Sequence, residues 1–233
     1  MSMRHTLRLG GATAFAGGVL MFVGNVFHPR EPGQLDSASN LFDVVIHSPT
    51  WAADHFVITI GLALVLHGLY GVTRSISTHP GEAWARFAWH IAIIGVVLGL
   101  ALMLTEAVAV TSLAHAWHGS QGGDKDLLLA AGNAVFELSL TFSVGGMLFL
   151  FGAAPMLYGI AMLHGAEYRA STGWIGVLFG LVGVAAAAIQ MMTGESWLTF
   201  YVLFPVASIA ITLWITYLGF RMWRMAAVTS TKG

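Results

Sequence analysis

The residues best able to do chemistry stand where an apolar chain tolerates them least. Asp54 and His55 lie side by side in "SPTWAADHF", directly before the oily run "VITIGLALVL". Glu106 falls near the end of one long apolar segment and Glu137 near the start of another. Between them, "HAWH" sets His115 and His118 at i, i+3, which puts both rings on one face of a helical turn. An ionisable side chain within a membrane span costs ~2.5–3.5 kcal/mol on insertion scales, so such groups face the bundle and find partners. Two carboxylates and several imidazoles can hold a divalent transition metal: imidazole suits zinc, copper and iron, and carboxylate adds a hard oxygen. The candidate metal ligands are His55, Glu106, Glu137, His115 and His118, with Asp54 and Gln190 as groups that orient them. A structural hydrogen-bond network or a protonated carboxylate would satisfy the same residues without a metal. For Asp54 the plainer reading is a helix start, with Ser48 as cap, Pro49 in the first turn and the acid near the positive helix end.

A second pair, His67 and His90, lies toward the opposite end of its helices and raises a bis-histidine haem b. Neighbouring helices pack 8–10 Å apart, too close for a haem plane gripped from both sides, and a histidine snorkelling to the interface is the competing account.

The elements that must position these groups are membrane helices. Of 233 residues, 57% are hydrophobic and 9% are charged, against about 25% charged in a soluble domain. Six runs approach or exceed the roughly 20 residues that cross the hydrocarbon core: residues 8–27, 52–73, 86–111, 134–163, 172–193 and 197–220. We expect an all-α six-transmembrane-helix bundle, a single domain over residues 1–233. The fourth run is too long for one straight crossing, and Pro155 should kink it. The apolar stretch after Arg4 and Arg8 is too long for a signal-peptide core and reads as an uncleaved first span.

Arg4, Arg8, Arg74, Arg86, Arg169, Arg221, Arg224 and Lys232 fall on one side of this topology, and only Arg30 and Lys125 on the other. Both termini are therefore expected in the cytoplasm, in the plasma (inner) membrane of the cell. Counting 1.5 Å per residue places His55, Glu106 and Gln190 roughly 27–30 Å above the cytoplasmic helix ends, in one outward-facing polar layer with Glu137. Residues 28–50 and 112–133 form long outer connections, the first with an amphipathic piece over 41–46. Trp84, Trp89, Trp174, Trp197, Trp214 and Trp223 read as interfacial belts.

Cysteine is absent, which excludes disulfides, thiolate ligands and Cys-ligated iron–sulfur clusters. Nothing suggests nucleic acid. The partners implied are the lipid bilayer and a membrane-protein partner or a second copy. The leading expectation is a metal-binding membrane protein or complex subunit. The alternatives are a proton-coupled small-solute transporter using Glu106 and Glu137, and a haem or metal membrane oxidoreductase. Whether the chain is an enzyme stays open.

The first span ending in "FHP", the "SPTWAADH" entry to the second, "GEAWARF" before the third and "LFGAAPMLYGIAML" closing the fourth give the chain a resemblance. It resembles a family of six-helix bacterial membrane proteins, common in actinobacteria, that carries no assigned activity. The resemblance implies fold and location, and His115 and His118 fall outside its pattern.

Overall fold

The apolar runs fold as helices because backbone N–H and C=O groups in lipid have no water to bond and must satisfy one another within the segment. The computed structural model describes residues 3–29, 37–194 and 197–228. In chain order these form α1 (Met3–Phe27), α2 (Ala38–His47), α3 (Trp51–Ser75), α4 (Gly81–Leu104), α5 (Thr111–Gly119), α6 (Gly123–Leu148), α7 (Ala154–His164), α8 (Ala170–Thr193) and α9 (Phe204–Val228). Three π-helical turns, Thr105–Val110, Phe149–Ala153 and Thr199–Leu203, join α4 to α5, join α6 to α7, and precede α9. Six continuous helical stretches are long and apolar enough to cross a membrane. The protein is an integral membrane protein in this sense, and exposed apolar side chains such as Phe15, Val97, Leu104, Leu178, Leu181 and Leu213 are its lipid-facing surface.

The first stretch packs antiparallel to the second and to the sixth. Gly10 lies against Gly71 and Gly24 against Ile58 across α1 and α3, while Gly11 meets Gly219 and Gly18 meets Thr216 across α1 and α9. Gly99 touches Leu62 across α4 and α3, and Gly159 meets Gly173 across α7 and α8. These contacts gather Met3, Ser75, Gly81, His164, Ala170 and the end of α9 at one end, called here the terminal end. The start of α3 and the junction of α4 with α5 lie at the other, the far end. A β-carbon on Gly159 would sit 2.4 Å from the Gly173 carbonyl oxygen, so the absent side chain is what lets these backbones approach.

Three local expectations are revised. The third and fourth stretches run over Gly81–Gly119 and Gly123–His164, 39 and 42 residues. Most of the expected connection at 112–133 is thus helix, broken only around Ser120–Gly122, where Gly122 takes φ 57°. This extension stays helical because Val110 of the π turn, Ala114 of α5 and Phe136 of α6 are buried against Leu41, Phe42, Val44 and Val45 of α2. Helix α3 starts at Trp51 with Thr50, not Ser48, at its N-cap and without a side-chain cap bond. Trp214 is buried rather than interfacial, and its indole N–H donates to the Thr172 carbonyl at 2.9 Å. Pro155 sits in the first turn of α7, directly after the π turn Phe149–Ala153, where a missing N–H is least disruptive. Of the expected charge pattern, Arg30 and Lys232 lie outside the described residues.

The terminal end is tied by side chains. Tyr158 donates to the Leu69 carbonyl at 3.1 Å and meets Thr73 Oγ1 at 2.7 Å, and Tyr168 meets Ser75 Oγ at 2.6 Å. The Glu167 carboxylate accepts from the Ser77 N–H and hydroxyl, each at 3.0 Å, from Thr78, and from the Ala166 N–H. It thereby clasps the α3–α4 turn to the α7–α8 turn. Partial burial pushes the Glu167 carboxyl up, but those donors outweigh it and hold the group below its usual value of 4.5. A folded-state value below the unfolded one gives stability that is full above about pH 4.5 and fades as pH falls through the lower folded value. Glu167→Gln is therefore expected to lower the melting temperature at pH 7, with the gap to the parent protein closing below pH 4.5. A pH series of thermal melts on both proteins checks this, and a gap that widens in acid would contradict it.

Candidate metal centre

The far end gathers three side chains from three stretches of chain. His28 follows the last turn of α1, His55 lies in the second turn of α3, and Glu106 lies in the π turn after α4. One potential ligand atom from each falls within 4.8 Å of the others. His55 is fully buried, and the Glu106 side chain is 18% exposed.

Local structure sets each group. His55 Nδ1 lies 2.7 Å from the Trp51 carbonyl one turn back, so Nδ1 carries the proton in the neutral ring and donates to that oxygen. His28 Nδ1 stands 2.9 Å from the Pro29 carbonyl, with the same consequence. In both neutral rings Nε2 then bears the lone pair. A backbone carbonyl holding the far ring nitrogen is the usual support of a metal-ligating histidine. The rings also pack on one another: the centroids of His28 and His55 are 5.0 Å apart, those of Trp51 and His55 4.4 Å, and His28 meets Trp51 edge-on at 5.3 Å.

Glu106 is placed by an irregular helix. A π turn leaves a carbonyl off the regular ladder, and such turns recur at functional sites. Here the Glu106 carbonyl accepts from the Trp51 indole N–H at 3.2 Å and from the Thr111 hydroxyl at 3.3 Å. Trp51 thus fixes two members of the cluster, accepting from His55 with its carbonyl and donating to Glu106 with its ring.

The central contact is His55 Nε2 to Glu106 Oε2, 2.8 Å. With Nδ1 already donating, a neutral imidazole offers a lone pair to a carboxylate, and two lone pairs cannot face each other at that distance. Something positive must lie between them, a proton or a metal ion. A tetrahedral zinc with bonds of ~2.0–2.1 Å sets its ligand atoms about 3.3 Å apart. The His55–Glu106 gap would open slightly and the longest separation would close. Three protein ligands would leave a fourth position open.

Of the residues singled out in the sequence, His55 and Glu106 meet. Glu137 is exposed on α6, and His115 and His118 are exposed on α5. None of these three joins the cluster among the described residues. Trp117, between the two histidines, instead packs on Phe42 at 5.8 Å and under Lys125 at 4.2 Å. Asp54 is buried beside His55, with Oδ2 lacking a hydrogen-bond partner. Gln190 is buried elsewhere and accepts a short hydrogen bond from the Thr199 hydroxyl. His67 and His90 are both exposed. The ring His67 contacts is Tyr70, at 6.4 Å, and His90 Nδ1 donates to the Arg86 carbonyl at 2.8 Å. The member not singled out beforehand is His28. Its signal is the "FHP" end of the first span, a histidine held at the mouth of the bundle by the proline that stops the helix.

Compared with protein families, with curated proteins and with solved structures, the chain matches none of them.

Proposed function

We propose that this membrane protein binds a divalent transition metal ion of the zinc, copper or iron class through His28, His55 and Glu106. The observation that carries the reading is the 2.8 Å approach of His55 Nε2 to Glu106 Oε2 while Nδ1 is engaged by the Trp51 carbonyl. That geometry calls for a cation or a proton, and the neighbouring His28 supplies the further nitrogen that a metal uses and a proton does not. Two imidazoles and one carboxylate form a donor set suited to zinc and iron. The excess of Lys and Arg at the terminal end supports an orientation with both termini in the cytoplasm and the cluster facing outward. Metal bound there would be taken from, or offered to, the outer side of the membrane.

Element analysis of the protein purified from its own membrane tests this. The expected result is close to one equivalent of metal per chain, removed by a chelator and regained on adding zinc. If native protein carries no metal and metal-free protein takes none up, the cation between His55 and Glu106 is a proton. The contact is then a hydrogen bond that holds α3 to the turn after α4, and pH-coupled solute uptake becomes the assay for the transporter alternative.

A further inference from the structure

Below the cluster, the helices leave a cavity of about 140 Å³. Its wall is mainly apolar and includes Leu62, Leu102, Phe136, Leu140, Leu150 and Phe204. A dry cavity of roughly 150 Å³ lined by Leu, Ile and Phe takes up benzene, so the space here fits one six-membered ring. The wall contains no Lys or Arg, and its polar edge carries His28 and the Glu106 carboxylate, so in the metal-free protein an anion would meet a carboxylate. The polar members of the wall are Asn25, His28, Glu106, Ser139 and Ser143, and Ser139 is the one whose buried hydroxyl is left over. Ser139 of α6 is 3% exposed, and its hydroxyl has no hydrogen-bond partner. A serine on a helix can bond back to the carbonyl one turn earlier. This one does not, and a buried hydroxyl left unpaired is destabilising.

We propose that this cavity is a binding site for a neutral, membrane-soluble ring compound of phenol size, whose oxygen pairs with the Ser139 hydroxyl. The apolar wall takes the ring, and Ser139 orients it. His28 and Glu106 of the metal cluster also line this cavity, but the pairing with Ser139 does not need the metal, and the test is therefore run on metal-free protein.

Fluorine NMR of 4-fluorophenol and fluorobenzene tests it, with the full chain in lipid nanodiscs, stripped of metal, and empty nanodiscs as the partition control. Both probes are expected to bind saturably above the control. Ser139→Ala is expected to weaken 4-fluorophenol about 5- to 10-fold, the equivalent of one hydrogen bond, and leave fluorobenzene unchanged. Gly146 lines the cavity, and a β-carbon there comes no closer than 3.9 Å to its neighbours. Gly146→Leu therefore fills the space and is expected to abolish binding of both probes, with a thermal melt confirming that it folds. Probes that only partition as in empty nanodiscs, or that bind a folded Gly146→Leu variant as well as the parent, overturn the site. Equal loss of both probes in Ser139→Ala overturns the role of the hydroxyl.

Discussion

Replacing His55 by alanine is expected to lower zinc affinity by about 100-fold or more and to destabilise the protein by about 2–4 kcal/mol. Both effects come from the same contact. The substitution removes a ligand, and it leaves a largely buried Glu106 carboxylate facing an empty space without its 2.8 Å partner. Glu106→Gln separates the two effects. Its amide can donate to His55 Nε2, so the local structure survives with a loss of under about 1 kcal/mol. Metal binding still falls at least tenfold, because the anionic ligand is gone. His115→Ala and His118→Ala change exposed side chains, and each is expected to leave both properties within about 0.5 kcal/mol of the parent. Isothermal titration with zinc and thermal melts on the four variants check the pattern. If the histidines of "HAWH" matter and His55 does not, the cluster has been misassigned.

Gly68→Val is expected to destabilise the bundle by about 3 kcal/mol or more, among the largest effects open to a single small substitution. A β-carbon at Gly68 would lie 2.5 Å from the Ala14 α-carbon, 2.6 Å from its β-carbon and 2.7 Å from its backbone nitrogen. No rotamer change relieves a clash with backbone, so α1 and α3 must separate. That separation would also move His28 away from His55, because His28 follows directly on α1 and His55 lies on α3. Gly146→Ala is the matched control: the nearest atoms there are 3.9 and 4.0 Å away, ordinary contact distances. Unfolding in mixed micelles of increasing denaturing-detergent fraction measures both. A Gly68→Val protein as stable as the control would mean that the close α1–α3 approach does not hold in the membrane.

The six spans were legible because charge is sparse and each apolar run meets the length of the bilayer core. The ends of spans three and four were not, because hydropathy marks where lipid stops and not where the helix stops. Residues 112–119 and 123–133 remain helical by packing against α2, a contact between segments far apart in sequence. His55 and Glu106 could be paired beforehand from their shared height above the terminal end. Height alone leaves rotation about the helix undefined, which is why Glu137 appeared as a partner although α6 turns it outward. Gln190 went the same way, engaged by Thr199 across a neighbouring element. The π turn that sets Glu106 has no signature in apolar periodicity. His28 lay in view within "FHP", but only the antiparallel packing of α1 on α3 brings it against the His55 ring.

The most direct test is an X-ray absorption spectrum of the zinc-loaded protein, recorded beside His28→Ala. The predicted spectrum shows two imidazole nitrogens at about 2.0–2.1 Å and one carboxylate oxygen at about 2.0–2.2 Å, with one imidazole lost in the variant. A shell of oxygen alone, or a spectrum that His28→Ala leaves unchanged, would contradict a metal held by His28, His55 and Glu106.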